Sequence, residues 1–372
     1  MKVILAPDSF KESMSSVEAA TAMERGIRHA HPTAECVAIP LSDGGEGFAQ
    51  TLGSVWGAEW VTVDAVDVRG LPATYGYAWD ASQRRAALDV ASCGGLEMIP
   101  AEARDVWSSS TKGLGLLIHD ALGRGAQSLT IGLGGSATND GGAGMLSALG
   151  VRFEAEGGGV CTPTPDGLQR LSAVDASDLD ARLADSEITV ACDVDNPLLG
   201  PRGATAVFGP QKGVGPDDVE PIDAILGRLA RLSNKEEEAA SPGAGAAGGL
   251  GWAMRAFLGA TLVPGFDVIA RATGLAEAMQ GADVALTGEG AVDDQTLSGK
   301  APAGVARLAR EAGVPVVIFG GVVRDSAQSL REGGAIDLIA ISNPAVPLEQ
   351  SLAEGPQRLE EAVAQWAATL QS

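Results

Sequence analysis

Short runs of Val, Ile and Leu alternate with stretches of helical periodicity at both ends of this chain, and that alternation constrains the fold more than any single motif. The N-terminal end reads as a strand from Lys2 to Ala6, a helix from Ser16 to Ala30, a strand from Cys36 to Pro40, a helix from Glu46 to Trp56 and a strand from Trp60 to Val66. Ser15 or Ser16 with Glu18 supplies the chemistry of a helix start, and Val17, Ala20, Met23 and Ile27 recur at helical spacing. The C-terminal end resumes the pattern, with strands at Val284 to Thr287, Val314 to Phe319 and Ile336 to Ile341 and helices at Pro302 to Ala312, Ser326 to Glu332 and Leu348 to Leu370. Apolar strands separated by helices are buried on both faces, which predicts an α/β fold built on a parallel sheet.

The stretch between these ends, Asp67 to Gly281, has a different texture, with a long glycine turn, several proline joints and a near-low-complexity loop from Pro242 to Gly251. A chain of 372 residues can bury two full hydrophobic cores. The expectation is a discontinuous first domain, residues 1–66 and 282–372, carrying an inserted α/β domain over residues 67–281 with a cleft between them. The 50 glycines and scarce aromatics suit such a turn-rich architecture. The acidic stretch from Asp178 to Glu187 is expected to be a solvated connection.

A formal charge of −22 excludes nucleic acid as a partner, because phosphate backbones need a basic surface. Cys36, Cys93, Cys161 and Cys192 form no Cys-x-x-Cys pair, and His29, His31 and His119 offer no metal-ligand cluster. The run Val3 to Ala6 is too short for a signal peptide, and nothing approaches 18 uninterrupted apolar residues. A reduced cytoplasmic protein, without membrane or zinc, is the expectation.

Inside the middle stretch, a strand-like run from Ser128 to Ile131 enters the turn Gly132 to Gly144 and continues into a helix-like run from Met145 to Leu149. A strand that turns through glycines into a helix presents backbone N–H groups and a helix N-terminus to an anion such as phosphate. The chain holds six lysines, and four of them (Lys11, Lys112, Lys212 and Lys300) stand in Gly/Ser/Pro-rich turns, as anion contacts would.

Functional residues of open parallel sheets gather beyond the carboxyl ends of strands. Four such ends here carry acids or lysine: Asp8-Ser9-Phe10-Lys11-Glu12, Asp43-Gly44-Gly45-Glu46, Asp193-Val194-Asp195-Asn196 and Gly288-Glu289-Gly290 with Asp293. Phosphoryl transfer explains the mixture. Glycine turns and lysines hold polyphosphate, carboxylates hold Mg2+, and a further carboxylate accepts the proton of an attacking hydroxyl. No Walker A element, dinucleotide unit or Gly-x-Ser-x-Gly elbow competes with this reading.

Together these segments closely resemble the type I glycerate kinase family of bacteria. The matching blocks are Ala6 to Ser13, Asp43 to Gly47, Gly132 to Gly144, Ala191 to Pro197, Phe208 to Gly213, Gly245 to Gly251 and Gly288 to Gly290, followed by Asp293, Gln295, Thr296 and Gly299 to Pro302. The resemblance implies a Rossmann-like or flavodoxin-like parallel-sheet domain with a large inserted second α/β domain and an active site in the interdomain cleft. It also implies ATP-dependent, Mg2+-assisted phosphorylation of D-glycerate, to 2-phosphoglycerate rather than 3-phosphoglycerate, and it leaves room for a homodimer.

On that footing Asp193 is the base, and Lys11 and Lys212 neutralise charge on the transferring group or the acceptor carboxylate. Asp8, Ser9, Asp293 and Lys300 bind substrate; Gly134, Gly135, Ser136, Thr138 and Asn139 cradle phosphates; Asp43, Glu46 and Asp195 are the metal ligands. The sequence departs from the family pattern at Lys112, in a segment that has lost an acid, at Asp89 in place of Glu, and at Ala291 in place of Arg. A kinase acting on another small hydroxy acid, a Mg2+-dependent phosphohydrolase and a non-catalytic nucleotide-binding regulator are the alternative readings.

Overall fold

The structure is a computed structural model that describes residues 1–370 apart from 42–44, 46, 294, 295, 297–300, 333, 334 and 344. The chain forms two compact units, Met1–Asp43 with Phe266–Ser372, and Gly44–Gly265. In chain order the strands are β1 (Lys2–Leu5), β2 (Glu35–Ala38), β3 (Glu59–Val66), β4 (Pro72–Asp80), β5 (Arg85–Asp89), β6 (Ser128–Gly132), β7 (Arg152–Ala155), β8 (Leu171–Asp175), β9 (Glu187–Ala191), β10 (Thr261–Val263), β11 (Val284–Val292), β12 (Val316–Val323) and β13 (Ala335–Ala340).

The first unit is an α/β layer on a five-stranded sheet, in the order β13-β12-β11-β1-β2, with every pair parallel. The helix Ser16–Ala30 begins at a capping box in which Ser15 and Glu18 satisfy each other's orphan donors. It buries Ala19, Met23 and Ile27 against Leu359 and Val363 of the helix Gly355–Ala367. Gly26 permits this approach, since a Cβ there would lie 2.6 Å from the Glu360 carbonyl oxygen. The helix expected from Leu348 to Leu370 is two, Leu348–Ala353 and Gly355–Ala367, because Gly355-Pro356 interrupts the backbone bonding and restarts it with proline in the first turn.

The second unit is built on a six-stranded sheet, β10-β9-β6-β5-β4-β3, in which β10, β9, β6 and β5 are parallel while β4 and β3 close the edge as an antiparallel pair. A small antiparallel ladder, β7 with β8, lies outside it. The core joins Leu88, Leu117, Leu129, Ile131, Met145, Val190 and Trp252.

The sequence pattern continues the first sheet's βαβαβ run through Trp60 to Val66, but β3 pairs instead with β4 in the second sheet. Its residues explain the antiparallel pairing, though not the choice of sheet. Exposed Trp60, Thr62 and Asp64 alternate with buried Val61 and Ala65, the signature of a half-solvated antiparallel strand and not of a doubly covered parallel one. The stretch expected to be a solvated connection before β9 contains a short 3₁₀ turn, Ala181–Asp185, anchored by buried Leu183. Among the described residues no helix is long and apolar enough to cross a membrane.

Candidate active site

The carboxyl ends of β5, β6 and β9 carry a cluster of buried polar groups in the second unit. From β6 the chain enters the glycine turn, and a six-residue helix, Ala143–Ala148, follows. Asp140, fully buried, organises the turn. Its Oδ1 accepts the Gly142 N–H at 2.9 Å, and its Oδ2 accepts the Gly144 N–H at 3.0 Å and both the N–H and hydroxyl of Thr111 at 2.8 Å. Burial raises the Asp140 pKa, with these four hydrogen bonds working in the opposite direction. The Thr111 hydroxyl in turn accepts the Met145 N–H at 2.9 Å.

This arrangement corrects one expectation. The helix N-terminus that the sequence offers to an anion is already filled by Asp140 and Thr111, so the anion-seeking groups lie earlier in the turn. Among the described residues the N–H groups of Gly134 and Gly135 make no backbone hydrogen bond. Two further buried atoms have no partner there, Thr138 Oγ1 and Asn139 Oδ1.

Lys212 completes the cluster. Its segment leaves the helix Ala204–Phe208 through a 3₁₀ turn, Pro210–Lys212, and Gly213 follows at φ 95°, where a Cβ would lie 2.6 Å from the Arg104 carbonyl oxygen. The side chain is 2 % exposed, and Nζ donates to Ser136 Oγ at 2.8 Å and to the Thr138 carbonyl at 2.7 Å. Burial pulls its ammonium down from 10.5 to about 7, with the charge of Asp140 pushing the other way. A buried cation with no carboxylate in ion-pair contact among the described residues is a site that an anion would complete.

Gly248 seals the far side of the turn. Its carbonyl accepts the Gly141 N–H at 2.9 Å, and a Cβ on it would sit 2.1 Å from the Thr138 carbonyl oxygen, at a φ of 67° that disfavours any side chain. Asn139 donates Nδ2 to Thr205 Oγ1 at 2.9 Å. Its remaining oxygen only accepts, which suits a cation or a donor group better than a phosphate oxygen.

The other expected residues of this unit lie at the ends of β5 and β9. Asp193, just past β9, is exposed and takes the Gly265 N–H on Oδ1 at 2.8 Å. Asp195 is exposed and faces Arg202 at 3.2 Å. Asp89, at the end of β5, is buried and caps its surroundings, accepting the Ala49 N–H at 3.0 Å and the Ser92 N–H at 2.7 Å; burial raises its pKa.

In the first unit, Asp8, Ser9 and Lys11 line a cavity of about 330 Å3 beyond β1, β11 and β12. Asp8 donates its N–H to the Gly288 carbonyl at 2.9 Å and holds the Ser9 N–H on Oδ1 at 2.7 Å. The turn bearing Lys11 is closed by reciprocal Phe10–Met14 hydrogen bonds and places Glu12 at φ 63°, a conformation costing roughly 1–2 kcal/mol for a side-chain-bearing residue. Asp293 faces Arg324 at 3.8 Å and donates its N–H to the Thr296 hydroxyl at 3.1 Å, while that hydroxyl donates to buried Glu289 at 2.5 Å. Asp43, Glu46 and Lys300 lie outside the described residues.

The structure thus brings Ser136, Thr138 and Lys212 into direct contact, with Asn139 next to them in the turn. Sequence reasoning gave no role to Asp140, Glu289 and Thr296, although each lies in a segment it singled out, and it missed Thr205. The Asn139-Asp140-Gly141-Gly142 string does carry a signal for Asp140, since an Asp before two glycines at a helix start is a capping pattern. Nothing local marks Thr205.

A sequence model of the glycerate kinase family matches residues 3–371. The chain is 40% identical over 373 residues to a glycerate kinase of Bacillus subtilis (strain 168), covering 100% of this chain and 98% of that protein. It is 41% identical over 341 residues to a glycerate 2-kinase of Escherichia coli (strain K12), covering 90% and 88%. A crystal structure from Salmonella typhimurium LT2 that provisionally bears the name glycerate kinase 2 superposes with a TM-score of 0.85 at 38% identity, over 99% of this chain and 98% of that one.

Proposed function

Since the chain belongs to the glycerate kinase family and is an enzyme of that class, we propose that it transfers the terminal phosphoryl group of ATP to the 2-hydroxyl of D-glycerate in the cytoplasm. The observation that carries the phosphoryl-transfer chemistry is Lys212, buried and bonded into the glycine turn.

Catalysis of this reaction is mostly positioning and charge stabilisation. The Lys212 ammonium neutralises charge on the transferring group, and a phosphate beside it favours its protonated form. Thr138 Oγ1 and the Gly134 and Gly135 N–H groups donate to phosphate oxygens. Asp193, oriented by the Gly265 N–H, takes the proton of the attacking hydroxyl. Lys11, with Asp8, Ser9 and Asp293, serves acceptor recognition.

Mg2+ suits the oxygen donors present. Mg2+ needs only one or two carboxylates besides water and phosphate, so the lack of a three-acid cluster among the described residues is no obstacle. Asp195, held by an exposed ion pair, and Asn139 Oδ1, which has no partner among the described residues, would hold it, with Asp43 and Glu46 as further carboxylates. When bound, the ion supplies charge neutralisation to the phosphates.

The test is a substrate panel with Mg-ATP, following ADP and inorganic phosphate together. ADP released only when D-glycerate is present supports the reading. Preference for another hydroxy acid would move the acceptor, and phosphate release without any acceptor would make the protein a phosphohydrolase.

A further inference from the structure

A second cavity, of about 550 Å3, opens in the unit Gly44–Gly265 beside the start of the helix Lys112–Gly123. Its walls include Arg69, Asp105, Trp107, Ser110, Lys112 and Asp166. None of these has a role in the mechanism above. We propose that this cavity receives the nucleoside part of the phosphate donor, with the base against Trp107, the ribose hydroxyls on Asp105 and Asp166, and the phosphate chain leaving past Lys112. The assignment rests on the kinase reading and names where that reaction's donor is held.

Size argues first. Cavities of roughly 300–1,000 Å3 hold ligands of nucleotide dimensions, and a three-carbon acid would fill only a small part of this one. The chemistry of the wall follows the same molecule from end to end. Trp107 is half-buried: its backbone N–H donates to Asp105 Oδ1 at 3.1 Å and its carbonyl accepts the Asp166 N–H at 3.0 Å, which fix the backbone, while the side chain packs beside Val106, Val214 and Ile222. A rigid indole is a stacking surface for a flat heterocycle. Asp105 and Asp166 are acceptors on the rim, suited to hydroxyl donors and unsuited to phosphate.

The cationic end is equally specific. Arg69 is bound to Asp67 at 2.9 Å, whereas Lys112 is exposed and pairs with no acid among the described residues. Lys112 is also the first residue of a twelve-residue helix whose N-cap, Thr111, gives its hydroxyl to Asp140 and so leaves the helix start without a side-chain cap. Ser110, on the cavity wall and 8 % exposed, keeps an Oγ with no partner among the described residues.

This wall is continuous with the phosphate-binding turn. Thr111 donates twice to Asp140, and Ser110 Oγ lies so close to Gly144 that a Cβ there would be 2.1 Å from it. Lys112 therefore follows directly on the segment that buttresses the turn of Ser136, Thr138 and Lys212.

The experiment is calorimetric titration of the full chain with Mg2+ and a non-hydrolysable ATP analogue, alongside steady-state kinetics, for Trp107→Ala, Trp107→Phe and Lys112→Met. Trp107→Ala should weaken analogue binding and raise KM for ATP about five- to thirtyfold, the worth of one stacked base, while Trp107→Phe retains most of the affinity. Lys112→Met should weaken the analogue about fivefold and leave adenosine binding unchanged. KM for D-glycerate should stay within about twofold throughout. Lys112 is exposed and its replacement by Met removes no packing, so that variant keeps the test decisive if Trp107→Ala does not fold. If Lys112→Met and Trp107→Phe leave analogue and adenosine affinity unchanged while Trp107→Ala, folded, binds as the parent does, and the parent makes phosphoglycerate, the cavity assignment falls and the kinase reading stands. If the parent neither binds the analogue nor makes phosphoglycerate, both fall.

Discussion

Replacing Lys212 by Met should make the protein more stable and nearly inactive. The depression of the buried ammonium from 10.5 to about 7 corresponds to at most about 4 kcal/mol of folding free energy forgone at pH 7. Met keeps most of the apolar stem but leaves Ser136 Oγ and the Thr138 carbonyl without their donor, at about 1–3 kcal/mol. The balance is a gain of about 1–3 kcal/mol, or roughly 2–10 °C in Tm for a unit of this size. The sign with pH is fixed by the charged form being the disfavoured one. Between pH 7 and 10.5 the unfolded chain holds more protons than the folded one, so the parent's stability rises across that window and the variant's advantage shrinks. Thermal melts of both proteins at pH 7, 8.5 and 10 give this directly. The same variant should lose about 10²–10³-fold in kcat/KM. A Met variant that melts lower than the parent at pH 7, or a gap indifferent to pH, would mean that Lys212 is a structural cation and would refute the argument.

Three further outcomes follow from the same geometry. Asp193→Asn should keep a parental melting curve and lose about 10²–10⁴-fold in kcat; near-normal turnover would move the base to Asp8 or Asp293. Asp140→Asn should destabilise the unit by about 3 kcal/mol, because an amide cannot accept four donors; it should also move the alkaline limb of the kcat/KM profile for ATP to lower pH than in the parent, since the charge that supports protonated Lys212 is gone. Gly248→Ala should cost about 2–4 kcal/mol by chemical denaturation, from a Cβ driven onto the Thr138 carbonyl at a left-handed φ.

Local order was legible in the sequence wherever it rests on local chemistry. The helix Ser16–Ala30 is where its cap and spacing put it, and β6 with the glycine turn follows the strand-turn-helix pattern. Lys212 stood out because lysine is scarce and this one lies in a proline-glycine turn. The choice of partner for β3 was not legible, since its alternation fits an antiparallel edge in either sheet and only tertiary packing selects one. The direction of side chains within the glycine turn was hidden for a related reason. Glycines at φ 64° and 73°, Gly141 and Gly142, reverse the chain so that Asp140 faces inward and caps the helix that an anion was expected to meet. Thr205 reaches Asn139 from 66 residues away, and no pattern in the sequence encodes that contact.

Passage of one phosphoryl group from ATP to the 2-hydroxyl of D-glycerate is read from ³¹P NMR of a single reaction. The expected products are ADP and a phosphoglycerate in equal amounts, with the new phosphorus signal split into a doublet by the lone hydrogen on C2. A triplet would place the phosphoryl group on the C3 methylene and contradict the regiochemistry, and ADP with inorganic phosphate alone would contradict the transfer itself.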